Sequence, residues 1–240
     1  MKRPVYSIPL LLAATFVAIL LWDVSGLDLA LALPFGGPYG FPLRNAWLLT
    51  TVLHAGGLAL AWAVAGWLCV GVRWPSGPLR RLDVRQRVQL VLTLLLVVTA
   101  VSAFKRFSMT SCPWHLSVFG GAADWVSHWA LASGGDGGPG HCFPAGHAAA
   151  GFAFIGGYFV FRDRDPVLAR AWLGASLLAG FVLGGAQQLR GAHFMSHTLW
   201  TAWICACGAW SVDRVAAFLR DPVRSPEAAG LRLESPSLIE

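Results

Sequence analysis

The run Val88–Phe104, VQLVLTLLLVVTAVSAF, decides the fold: seventeen residues carry no charge, and Arg87 and Lys105 close it at either end. As a helix rising about 1.5 Å per residue it approaches the roughly 30 Å of hydrocarbon in a bilayer, so it reads as a membrane span. Working outward, the same pattern recurs at Tyr6–Trp22, Trp47–Val72, His147–Phe161, Ala171–Leu189 and Phe194–Val212, all free of acidic and basic residues. The fourth run, His147–Phe161, is short for a crossing. The fold class expected is an all-α polytopic membrane bundle of about six transmembrane helices. Residues 1–220 form one membrane-embedded domain, and 221–240, polar and proline-bearing, form a flexible tail.

Composition agrees. The chain is 56% hydrophobic and 12% charged over 240 residues, about half the charge of an average soluble protein. That excludes a water-soluble globular domain, a disordered chain, a collagen and a coiled coil. A net charge of +6 would suggest nucleic acid as a partner only if the charges clustered on a soluble face. They lie in the gaps between apolar runs, where they report topology.

Fourteen of the eighteen Lys and Arg residues fall on one side: Lys2 and Arg3, Arg73 to Arg87, Arg162 to Arg170, and Arg214 to Arg232. By the positive-inside rule that side is cytoplasmic, and both termini with it. An alternative makes the first run a leader peptide cleaved near Ala30-Leu31-Ala32, although Asp23 and Asp28 between run and site argue against it. Arg44, Lys105, Arg106 and Arg190 remain on the external face. So do six of the seven histidines: His115, His128, His141, His147, His193 and His197. Only His54 lies elsewhere, inside the second run. Imidazoles and cations gathered at one membrane face suit an anion.

Two segments there carry chemistry. Phe143-Pro144-Ala145-Gly146-His147 opens a helix, where free backbone N–H groups favour phosphate, although taken alone it reads first as a simple helix start with an interfacial histidine. If Gln187–His197 is helical, Arg190, His193 and His197 share one face at i, i+3 and i+7, a stripe able to hold and attack a phosphoryl group. Zinc is the rival use of His193 and His197, with His141 or His147 as third ligand. Cys69, Cys205 and Cys207 fall within spans and read as packing residues, and the stretch Ser133–Gly140 is glycine-rich.

Together with Lys105–Trp114, these segments resemble the type 2 phosphatidic acid phosphatase and vanadium haloperoxidase superfamily, whose motifs are K-x6-R-P, P-S-G-H and S-R-x5-H-x3-D. The resemblance covers about Lys105–Trp210. Lys105 and Pro113 match the first motif, with Cys112 at its arginine. Pro144, Gly146 and His147 match the second, with Ala145 for serine. His193 matches the third motif's histidine, while Gln187 stands at its arginine and His197 at its aspartate. The segments around Cys112, Cys142 and Arg190 also look like a divergent bacterial branch.

The resemblance implies phosphoryl transfer without metal or other cofactor: His193 as nucleophile forming a phosphohistidine, and His147 as acid and then base. Lys105, Arg190 and Arg106 would be phosphate-binding cations, with Gln187 and the backbone at Gly146 beside them. His197 would accept the nucleophile's N–H, and Asp124 or Asp136 are candidates to replace the missing motif aspartate. The expected partner is an amphipathic phosphate or diphosphate ester in the outer leaflet of a bacterial inner membrane. Candidates are phosphatidic acid, phosphatidylglycerol phosphate, undecaprenyl diphosphate and lipid A. A lipid phosphotransferase and a catalytically silent lipid-phosphate-binding protein are the alternatives. Within this frame a Cys112–Cys142 disulfide would join the first two motifs, the alternative being two free thiols.

Overall fold

The computed structural model describes residues 7–129 and 135–220. The tail from residue 221 and part of the glycine-rich stretch lie outside the described residues. Helix α1 (Ser7–Val24) is followed by a short α2 (Leu27–Ala32). A π-helical stretch, Leu48–Gly56, runs directly into α3 (Gly57–Arg73), and α4 spans Val84–Phe107. After a long connection, α5 (Gly146–Phe152) and α6 (Gly156–Phe161) form one span interrupted by a 3₁₀ turn. Helices α7 (Pro166–Leu189) and α8 (Met195–Arg220) complete the bundle. There is no strand among the described residues. Four helical segments are long and apolar enough to cross a bilayer, and Ile8–Val24 and Gly146–Phe161 are shorter apolar helices, so the count of six is approximate.

Local chemistry fixes the ends. Asp83 caps α4: its carboxylate accepts from Gln86 N at 2.9 Å, and Gln86 Oε1 accepts from Asp83 N at 3.2 Å. Asp165 caps α7 by accepting from Leu168 N at 3.0 Å, with Pro166 in the first turn where its missing N–H costs nothing. Helix α7 stops at Arg190 because Gly191 takes a left-handed conformation, φ +74°.

Two corrections to the expected elements follow. The continuous helix through Gln187–His197 does not exist, so Arg190, His193 and His197 do not form one helical stripe. Helix α8 also runs past Val212 to Arg220, because Asp213 is buried against Arg162 at 2.8 Å instead of ending the span.

The core lies between α4, α5–α6, α7 and α8, around Val97, Val101, Phe152, Phe161 and Cys205. Small residues let the backbones touch, the usual membrane solution where no hydrophobic effect drives helices together. A Cβ on Gly151 would come within 2.1 Å of Gly180 N, and one on Gly180 within 2.3 Å of the Phe152 ring. Helix α1 lies on α8, with Trp203 Nε1 donating to Leu12 O at 3.0 Å and Phe16 edge-on to Trp200. The C-terminal ends of α1, α4 and α7 and the N-terminal ends of α5 and α8 therefore meet at one end of the bundle, together with the π-helical stretch. That end carries the histidines.

Candidate active site

Three chain segments separated in sequence are laced together at the histidine end. Residues 108–112 run beside 141–143: His141 N donates to Ser108 O at 2.8 Å, Cys142 N to Thr110 O at 3.0 Å, and Phe143 N to Ser108 Oγ at 3.2 Å. A disulfide joins Cys112 to Cys142. Trp114 N donates to Gly191 O at 2.9 Å, and Ala145 N to His197 O at 3.2 Å, which ties both strips to the α7–α8 turn. The first loop closes over this lacing. Asp28 accepts from Ser196 N at 2.9 Å and from its hydroxyl, thereby capping α8, and Phe41 packs against Gly191.

His193 is buried in that turn. Its Nδ1 lies 3.3 Å from His197 Nδ1 and 3.4 Å from the Cys142 sulfur. Burial holds the imidazole well below the usual histidine range, and the charges of Lys105 and His147 push the same way. Lys105, in the last turn of α4, is half-buried and donates to Cys142 O at 3.4 Å. Its aliphatic stem lies beside Gly146, which begins α5 just before His147. No carboxylate pairs with Lys105 or Arg190 among the described residues.

The second half of the site comes from an element that the apolar pattern had set aside. His54, in the π-helical stretch, packs against His147 with ring centroids 3.8 Å apart and the planes tilted by 36°. Arg190 donates from Nη1 to His54 Nδ1 at 3.1 Å and to Gln187 Oε1 at 3.3 Å, and from Nε to Arg44 O at 2.9 Å. Gln187 Nε2 completes the ring by donating to His54 Nδ1 at 3.3 Å. The signal was present in the sequence: a lone imidazole inside an apolar run is expensive, and such residues mark functional sites.

Other expected residues stand apart. Arg106 and His141 are exposed, and Arg106 makes no hydrogen bond among the described residues. Asp136 does not reach the histidines; it is buried and accepts from Ser111 N at 2.5 Å, Ser111 Oγ at 2.8 Å and Gly138 N at 3.0 Å, bracing the loop. Asp124 is exposed. His128 stacks on Phe143 at 4.2 Å and donates to Asp23, which also accepts from Trp129 and Trp200 at 2.9 Å each. Cys112, Cys142 and His193 lie within 4.8 Å of one another, but with the two sulfurs bonded to each other no thiolate is left to ligate a metal.

The PAP2 superfamily profile matches residues 86–220, the stretch that supplies Lys105, His147, Gln187 and His193. The chain belongs to the PAP2 superfamily. No curated protein and no solved structure matches it significantly. The PAP2 superfamily is generally one of phosphatases, which supports a phosphoric ester hydrolase embedded in the membrane as a multi-pass helical protein.

Proposed function

We propose that this chain hydrolyses a lipid phosphate or diphosphate ester at the outer leaflet through a phosphohistidine on His193. One observation carries the reading: His193, His147 and the unpaired cations Lys105 and Arg190 converge at the end of the bundle where apolar clefts begin. A cleft of about 900 Å³ runs between α3, α5–α6 and α7, from Val52 and Gly56 beside His54 down to Trp67 and Leu168. A second, of about 320 Å³, runs from Gly146 along α3 and α4. A phosphate held by the cations would leave its apolar chain beside these walls, within the bilayer.

Tautomers follow from the contacts. If His193 attacks through Nε2, its Nδ1 carries the hydrogen and donates it to His197 Nδ1 across 3.3 Å. Neutral His197 thus takes the orienting place that an aspartate would hold. In the first step the Nε2 lone pair forms the N–P bond as the ester P–O bond breaks, and His147 gives its proton to the leaving oxygen. Water then attacks phosphorus, His147 takes the water's proton, and the N–P bond breaks to release inorganic phosphate and neutral His193. Lys105 and Arg190 counter the charge that gathers on the equatorial oxygens. The fourteen cations that the sequence gathers on the other side of the spans favour a cytoplasmic placement for that side, with the site external.

The deciding experiment is phosphate release by the purified full-length protein from lipid phosphates and from soluble phosphate esters, with His193→Ala as control. Release from the lipids, inhibition by orthovanadate without added metal, and none by His193→Ala are expected. Full turnover in His193→Ala, or complete loss to a chelator, would reject the mechanism; preference for soluble esters would reject the lipid substrate.

A further inference from the structure

We infer that His54 is a positioning residue, which with Gln187 holds the Arg190 guanidinium as the phosphate-gripping cation of the site. The inference rests on the phosphatase reading above and names the part of the grip that the second span supplies.

An arginine always donates, so Nη1 lying 3.1 Å from His54 Nδ1 makes that nitrogen an acceptor and places the ring hydrogen on Nε2. Gln187 is oriented by the same logic: its Oε1 accepts from Arg190 Nη1, so its Nε2 faces His54 Nδ1 and shares that nitrogen's one lone pair with Arg190. With Nε tied to Arg44 O at 2.9 Å, two of the three guanidinium nitrogens have fixed acceptors. Nη2 has none among the described residues and is left to a ligand. Every acceptor on Arg190 is neutral, so its charge is not cancelled, whereas a carboxylate at position 54 or 187 would cancel it.

Placing His54 there depends on the π-helical stretch Leu48–Gly56, a wide turn of the kind often found at functional sites. The tilted ring contact of His54 with His147 then sets Arg190 beside the residue that serves the leaving group. Gln187, which stands where the superfamily's third motif has arginine, is one of the two props of an arginine three residues later.

The test uses full-length protein in detergent, with a short-chain lipid phosphate for kinetics and orthovanadate for equilibrium binding. His54→Phe keeps a ring against His147 and removes the acceptor. It should raise KM and the orthovanadate Kd about tenfold, the usual worth of a hydrogen bond to a charged group, with a smaller change in kcat. His54→Asn, whose Oδ1 stands about where Nδ1 stood, should recover most of that loss. Arg190→Ala should cost at least as much as His54→Phe, and the double variant should be no weaker than Arg190→Ala alone. Additive losses, or His54→Asn no better than His54→Phe, would overturn the assignment. Where His54→Phe does not fold, His54→Asn decides by itself, a full tenfold rise in Kd counting against the proposal. Turnover surviving in His193→Ala would sink the phosphohistidine reading, while the orthovanadate arm would still decide this one.

Discussion

The two ends of the bundle differ in whether carboxylates reach their cations. At the end where α4 and α7 begin, three arginines meet carboxylates, Arg81 with Asp165, Arg164 with Asp83 at 3.1 Å and Arg162 with Asp213 at 2.8 Å, while Arg80 and Arg87 donate to backbone carbonyls. At the histidine end, Lys105 and Arg190 touch only backbone carbonyls, an amide and an imidazole. Of the acids there, Asp23 is spent on tryptophans and His128, Asp28 on the cap of α8 and Asp136 on Ser111, while Asp124 is exposed. Paired charges brace a structure, and a cation with only neutral neighbours keeps its charge uncancelled. Among the described residues no carboxylate pairs with a lysine or arginine at the histidine end, which is the contrast that the proposed site rests on.

That contrast can be broken by experiment. The largest effect is expected at the histidine end: Lys105→Met should lower kcat/KM by about a thousandfold, the worth of a transition-state cation, with no loss of apparent Tm. A large fall in Tm with kcat intact would make Lys105 a structural residue. Next comes the disulfide. Replacing Cys112 and Cys142 by serine opens a 30-residue separation and should cost about 3–4 kcal/mol in the chain-entropy estimate, read as a Tm shift. Mass spectrometry of non-reduced peptides from native membranes checks the bridge itself. At the opposite end, Asp213→Ala leaves Arg162 without its buried partner and should cost about 3 kcal/mol, with KM unchanged. A raised KM there would blur the two ends into one network.

The smallest effect is on pH. His193 is held below the ordinary 6.5 by burial and then by Lys105 and His147, so the unfolded chain binds a proton there that the folded chain refuses. Its contribution to stability is therefore full above about pH 6.5 and declines as pH falls toward the lowered folded value. Melting at pH 7.5 and 5.5 should show a wild-type drop that His193→Gln reduces. An unchanged drop would remove His193 from the acid response.

The spans were legible because hydrocarbon tolerates few charges, and Val88–Phe104 sits inside α4 with charged flanks on both sides. The motif segments were legible for the same reason, as polar islands at one face. The Arg190–His197 spacing predicts a stripe that the chain does not form, because Gly191 after Arg190 is the left-handed residue that ends helices. The pairing of His54 is not legible in the sequence, since it lies in another span, 136 residues from its arginine. The fate of Asp136 needed coordinates, since nothing in a loop sequence says whether a carboxylate faces histidines or the serine that it braces.

The contact of Gly151 with Gly180 reaches further than packing. Helix α5 carries His147 about one turn from that contact, and α7 ends in the Gln187–Arg190 grip about two turns beyond it. The spacing of the two halves of the proposed site is thus gauged between the helices by the absence of two methyl groups. An alanine there would act as a wedge, prying apart residues that it never meets. Mutational surveys confined to groups that touch phosphate would overlook both positions, and a variant inactivated through them would look, by its ligands, intact.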